Sequence, residues 1–289
     1  MNPILLQFTF IIGLLEAAPM VLAAVGFTLI YRLNGFVNVT YAENLTIGAY
    51  TGVILNTMLG LGFYASILPA ALFSGLFSVV TYLLVFRPAM RRGVNKTELI
   101  IMSVGLSFLI RYGITMVLGV TVYSFTHRVT FIRFLGIGIT DLQIVCIILA
   151  ALVSIFFLMF MFKTNYGEKM RALSDNEQLA KTSGINPFRV TILIWFMAGV
   201  AGGFAGVFLG AFSIVVPWLG WYQILFIMMI TIVGGVGSVP GAIVAGLVTS
   251  VLSSGITLVS NSYTAATTLL VLFIAALKYQ AVRKGGFKT

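Results

Sequence analysis

Few residues in this chain could do covalent chemistry, and their spacing argues against it. Its only histidine, His127, would have to act as base for a serine such as Ser107 or Ser238. A nucleophile and its base must lie within hydrogen-bond reach. The apolar segments between them put His127 and Ser238 on opposite faces of a membrane. Gly234 to Gly246, GGVGSVPGAIVAG, has the glycine content of a phosphate loop but lacks the Gly-Lys-Ser/Thr ending, so the chain carries no Walker A site of its own. Cys146 stands alone in an apolar run and permits no disulfide framework. Catalysis, a metal site and a cofactor are therefore not expected.

What remains is non-covalent recognition, and three groups of polar residues could supply it. Gly35 to Tyr50, GFVNVTYAENLTIGAY, interrupts a hydrophobic run with Asn38, Tyr41, Glu43 and Asn44. Irregular polar backbone near a membrane is tolerated only where protein or a water-filled cavity covers it, and broken helices are where transporters place their paths. These four residues are expected to line such a path, although Glu43 could instead serve the dipole at the start of the next helix. Gly167 to Val190, GEKMRALSDNEQLAKTSGINPFRV, is the longest polar passage in the chain. Met170, Leu173, Leu179 and Ile185 fall near helical intervals, which predicts a short amphipathic helix over 167–186 lying on a membrane face. Gly184 is read as its positive-φ stop and Asn186-Pro187 as the restart. Third, Glu16 and Arg111 are charges inside apolar segments. Glu16 lies 15 positions before Tyr31 and Arg111 14 positions after Thr97, about 22 and 21 Å along their helices at ~1.5 Å per residue. A lone charge at the centre of a membrane helix costs about 2.5–3.5 kcal/mol, so an ion pair between Glu16 and Arg111 is expected; the alternative is that Arg111 snorkels to the headgroups.

The elements that must hold these residues are membrane helices. The chain is 60% hydrophobic and 8% charged with a mean hydropathy of +1.10, whereas charged residues approach a quarter of a soluble domain. With roughly 20 apolar residues per span, nine segments qualify: 4–31, 44–61, 64–86, 97–119, 140–162, 187–212, 221–236, 238–259 and 264–279. The seventh is short enough to be re-entrant. The first lacks a basic leader and a cleavage site, and is expected to be retained as a span. The expected fold is an all-α polytopic membrane bundle of eight to nine spans with broken or re-entrant segments, a single domain over 1–289. The net charge of +10 would suggest nucleic acid for a soluble chain, but here it sorts by loop, and lipid is the expected contact. Alternation of spans places all of the 17 basic residues except Arg111, Arg128 and Arg133 on one side. By the positive-inside rule that side is cytoplasmic, with the N-terminus external and the C-terminus cytoplasmic.

Glycine placement adds packing detail. Gly105 and Ser107 sit where helices would approach closely, and Gly202, Gly206 and Gly210 bare one helix face at four-residue spacing. Their partner could be intramolecular or a second subunit. Gly235, Gly237, Ser238, Pro240 and Gly241 break the chain between the seventh and eighth segments. The stretch Val120 to Thr140 is either a cap on the bundle or a contact for an external protein.

Several of these motifs resemble the permeases of bacterial ABC importers, most closely the branched-chain amino acid permease family. That family's signature reads Asn-Phe-Ala-His-Gly-Glu and ends Gly-Ala-Tyr; Asn38, Glu43, Gly48, Ala49 and Tyr50 match it in register, while Val39, Thr40, Tyr41 and Ala42 depart from it. Arg171, Ala172, Asn176, Glu177, Ala180 and Gly184 resemble its coupling loop, which a separate ATP-hydrolysing subunit grips. Gly234 to Ala242 resembles its Gly-Gly-x-Gly-Ser-x-x-Gly-Ala passage. The resemblance implies a non-enzymatic permease subunit of an ATP-driven importer for branched-chain or other neutral amino acids. The partners it implies are ATPase subunits, a second homologous permease and an extracytoplasmic substrate-binding protein. Two alternatives stand beside it. One is another small polar solute such as urea or an amide; the other is a secondary transporter, which would need intramembrane carboxylates for coupling.

Overall fold

A computed structural model describes residues 3–134, 137–235 and 237–283. The chain is built from helices α1 (Pro3–Asn34), α2 (Tyr41–Thr57), α3 (Phe63–Thr81), α4 (Arg87–Arg91), α5 (Lys96–Leu118) and α6 (Asp141–Lys163), followed by α7 (Asn165–Asp175), α8 (Glu177–Thr182), α9 (Pro187–Phe212), α10 (Leu219–Val233), α11 (Val239–Val259) and α12 (Ser262–Arg283). A π turn, Tyr82–Phe86, carries α3 into α4 without a break, so Phe63–Arg91 forms one long rod. Between α5 and α6 the strands β1 (Phe131–Phe134) and β2 (Ile137–Thr140) pair antiparallel, with Phe131 opposite Thr140. The all-α expectation thus holds for the bundle and misses this hairpin.

Among the described residues, six helices are long and apolar enough to cross a membrane: Ile11–Asn34, Phe63–Arg91, Lys96–Leu118, Asp141–Lys163, Pro187–Phe212 and Val239–Leu258. Leu219–Val233 and Thr264–Ala275 are shorter apolar helices. Of the nine expected segments, the one at 44–61 is corrected most. It is α2, a 17-residue helix too short and polar to qualify as a span, yet twelve of its residues are buried. It lies among α3, α5, α9 and α10, with α1 packed on α9 and α11 behind them. Hydropathy alone does not make α2 a span, yet packing buries it inside the bundle.

Glycines on α9 permit this. A Cβ on Gly206 would lie 1.9 Å from the Leu45 carbonyl oxygen, and one on Gly202 would press on Asn44 and Tyr41. The neighbouring stripe, Gly199 and Gly203, meets Ser74, Ser78 and Ala71 of α3 just as closely. The bare faces of α9 are therefore filled from within the chain. Gly105 behaves otherwise: it is exposed and nothing lies within 4 Å of its Cβ position.

The segment after α5 caps the bundle. Asn56 on α2 both donates to and accepts from the Thr126 backbone, at 3.3 and 2.7 Å, and Tyr123 bridges to Val215 beyond α9. His127 Nε2 and the Tyr64 hydroxyl each lie 2.7 Å from Asp141 Oδ2, joining the cap to the starts of α3 and α6.

Candidate functional site

Gly35 ends α1 with a φ of 68°, and the chain then turns back along α5 before α2 begins. The Val39 amide donates to Ser103 Oγ at 3.0 Å, and the Thr40 hydroxyl to the Ser103 carbonyl at 2.8 Å. Ser103 lies seven residues into α5, about 10 Å along it at ~1.5 Å per residue. The start of α2 is therefore sunk into the bundle rather than resting at its surface. Its first turn closes through bonds from Tyr41, Ala42 and Glu43 amides to the carbonyls three residues back.

Each residue expected to line a path here is packed. Asn38, Tyr41, Glu43 and Asn44 are at most 3% exposed, and none of them lines the four cavities described here, whose volumes run from about 350 to 600 Å³. Asn38 Oδ1 accepts the Thr40 amide, and the Tyr41 hydroxyl donates to the Ala23 carbonyl on α1 at 2.9 Å, with Ala198 of α9 at 3.3 Å. The expectation of an open, polar-lined break gives way to one in which neighbouring helices satisfy the polar groups.

Glu43 accounts for the charge on α5. Arg111 Nη2 lies 2.9 Å from Glu43 Oε1, Ser107 Oγ donates to the same oxygen at 2.6 Å, and Arg111 also donates to Ser107 Oγ. Both charged side chains are at most 1% exposed. The Arg111 guanidinium stands 4.2 Å from the Trp221 ring centroid, with Trp218 and Phe108 at 5.2 Å, a placement that rings favour electrostatically. Glu43 Oε2 and Arg111 Nε have no hydrogen-bond partner among the described residues. The expected Glu16–Arg111 pair is therefore corrected: Arg111 is taken by Glu43, and Glu16 Oε2 instead accepts from Ser254 Oγ on α11 at 2.8 Å. The sequence reading takes Glu43 as lining a path or serving the start of α2, whereas the structure holds it against Ser107 and Arg111 in the fourth and fifth turns of α5. A signal was available. Ser103, Ser107 and Arg111 recur every four residues, so an otherwise apolar helix presents one polar stripe.

At the basic end of the bundle, the expected amphipathic helix over 167–186 is two helices. Asn176, at φ −154° and ψ 104°, ends α7 and caps α8 by accepting the Leu179 amide at 3.0 Å. Gly167 fits against α6 so closely that a Cβ would lie 2.3 Å from the Phe160 carbonyl oxygen. Met170 and Leu173 are buried as the periodicity requires, and Gly184 has φ +80° with Asn186 capping α9 behind it. The docking set divides. Asn176, Glu177 and Gly184 are exposed, whereas Ala180 is 4% exposed, Ala172 is half-buried and Arg171 folds back onto the Met161 carbonyl. Leu179, read from spacing as part of the buried face, is 65% exposed.

The third break lies close by. Gly235 and Gly237 have φ of 93° and 78°, Ser238 Oγ caps α11 through the Gly241 amide, and Pro240 occupies its first turn. A Cβ on Gly241 would lie 1.6 Å from the Gly234 carbonyl oxygen, so the two arms of the break nearly touch. Arg32, in the last turn of α1, donates to the Gly237 carbonyl at 3.0 Å. A cavity of about 390 Å³ is lined by Arg32 and Gly35 from the first break, Ser174 and Asp175 from α7, and Gly237 and Ser238 from the last. Three passages far apart in sequence thus meet at one end of the bundle.

Comparison with known proteins points the same way. Residues 9–277 match the family model described as branched-chain amino acid transport system / permease component. The chain is 27% identical over 244 residues to a probable branched-chain amino acid transport permease protein LivH of Methanocaldococcus jannaschii, covering 82% of this chain and 77% of that protein. It is 25% identical over 246 residues to the high-affinity branched-chain amino acid transport system permease protein LivH of Escherichia coli K12, covering 78% of each. To the corresponding permease protein BraD of Pseudomonas aeruginosa it is 24% identical over 264 residues, covering 83% and 82%. No solved structure matches.

Proposed function

The chain belongs to the branched-chain amino acid transport permease family, and from that premise we propose that it is the membrane-spanning subunit of an ATP-driven importer for branched-chain or other neutral amino acids. The match over residues 9–277 carries the reading. It fits a protein whose polar groups are spent on holding helices together rather than on covalent steps. As a permease of an ABC system, the chain works in a complex and leaves ATP hydrolysis to other subunits; those proposed are ATPases, a second homologous permease and an extracytoplasmic binding protein. The reading takes the chain as one domain in the inner membrane, and the distribution of Lys and Arg supports an N-terminus outside and a basic end in the cytoplasm.

In this reading the α7–α8 element is where the ATPase docks, with Leu179, Asn176 and Glu177 at the contact. The 390 Å³ cavity supports the idea, since a displacement of α7 there adjoins both the α1–α2 break and the α10–α11 break. Packed as it is, the first break corresponds to a closed state, and access to Asn38, Tyr41, Glu43 and Asn44 would require α5 to move off α2.

Uptake of labelled leucine into vesicles bearing the assembled complex tests the proposal. Uptake that needs ATP and survives an uncoupler is expected. Uptake that collapses with the uncoupler would make the chain a secondary transporter, and uptake of urea or an amide in place of leucine would reassign the solute.

A further inference from the structure

Arg111 is paired with Glu43 and not with Glu16. Among the described residues Glu16 forms no ion pair, and Ser254 is its one hydrogen-bond partner. It is nevertheless not packed away. Its side chain is exposed at the meeting of two cavities, of about 350 and 480 Å³, both bounded by Glu16, Phe226 and Ser253. Volumes of this order are those of ordinary small-ligand sites, ~300–1,000 Å³. Glu16 precedes Arg32, in the last turn of α1, by 16 residues, about 24 Å at ~1.5 Å per residue, so these cavities lie far from the basic end. Beside the carboxylate, the larger part of the lining is apolar, with Met20, Phe226 and Leu269, and its polar groups are neutral, among them those of Gln223, Thr249, Ser250 and Ser253. Among the described residues, no Lys or Arg lines either cavity.

We propose that Glu16, with Ser253 and Ser254, forms a membrane-depth site for the ammonium group of a small, otherwise apolar solute. A carboxylate at this depth needs a positive partner, and the space beside it admits one from outside the chain. Ser254 holds one carboxylate oxygen, leaving the other side of the group to a ligand N–H. The apolar side chains of the lining take a short aliphatic chain. This deepens the importer reading, and rests on it for the identity of the solute, by naming the residue that would grip the amino end of an amino acid.

The test separates the site from the route. The purified full chain in lipid nanodiscs is heated with 3-methylbutylammonium or with the neutral 3-methylbutanol, as wild type, as Glu16→Gln, and as Ser253→Leu, which fills the wall common to both cavities. A raised unfolding midpoint is expected only for wild type with the ammonium. An equal shift in Glu16→Gln, or none in wild type, overturns the site, and Ser253→Leu keeps that decision available if Glu16→Gln folds poorly. In vesicles bearing the complex, Glu16→Gln is expected to cut leucine uptake by about ten- to a hundredfold, the loss of one charged hydrogen bond. Normal uptake in that variant overturns the placement on the route. Ammonium binding without uptake of leucine or any other neutral amino acid in the wild type would instead remove the amino acid importer reading and leave the site standing.

Discussion

Arg111 donates to a single oxygen of Glu43, and what makes the arrangement stable is the company of Ser107 and Trp221 rather than a two-pronged bond. Removing one partner of such a pair leaves an uncompensated buried charge. Arg111→Met or Glu43→Gln alone is therefore expected to cost about 3–5 kcal/mol, and the double variant to recover most of it; thermal unfolding in detergent would show this, and two losses that simply add would disprove the coupling. Glu43 was legible in the sequence as a special residue but not as a packed one. A polar residue after a glycine reads the same whether its segment leaves the membrane or re-enters it, and only the α5 stripe of Ser103, Ser107 and Arg111 distinguishes the two.

Helix-level signals were read more faithfully where periodicity had a buried partner than where it did not. Met170 and Leu173 follow the spacing inward, but the turn at Asn176 rotates α8 so that Leu179 faces out. Leu179→Asp is expected to change stability by no more than about 0.5 kcal/mol while abolishing co-purification of the ATPase; retention of the ATPase would move the docking face elsewhere. Gly184 has open space around it but a φ of +80°, so Gly184→Val is expected to strain the turn by about 1–3 kcal/mol and to make ATP hydrolysis insensitive to solute. The glycines make the same distinction. Gly206→Ala drives a methyl into the Leu45 carbonyl and is expected to destabilise by about 1–3 kcal/mol. Gly105→Ala meets nothing and should gain about 0.5–1 kcal/mol. Denaturation curves of the two variants check both signs. Sequence alone could not tell these glycines apart, since both stand in apolar helices and differ only in what faces them.

Across the whole molecule, composition identified a membrane bundle and its order of segments, because a hydrocarbon layer admits few alternatives. It could not identify the centre. Of the most apolar stretch of each helix, 72% is buried in α1 and α9 but 17% in α5, while hydropathy is nearly the same, 1.9, 2.1 and 1.8. The proposed orientation can be checked by cysteine labelling without first removing Cys146, which is fully buried. Glu177→Cys should react with an impermeant maleimide only in inside-out vesicles, and Arg128→Cys only in intact cells or right-side-out vesicles; the reverse pattern would invert the topology. The burial of α2 also bears on how the protein is made. α9, whose glycines receive α2, begins about 130 residues after α2 ends, so at ~5–20 residues per second synthesis leaves α2 without that neighbour for roughly six to twenty-six seconds. A nascent chain halted before Pro187 should hold α2 loosely enough for membrane proteases to cut between α1 and α3, and lengthening the delay with slow codons should lower the yield of intact protein.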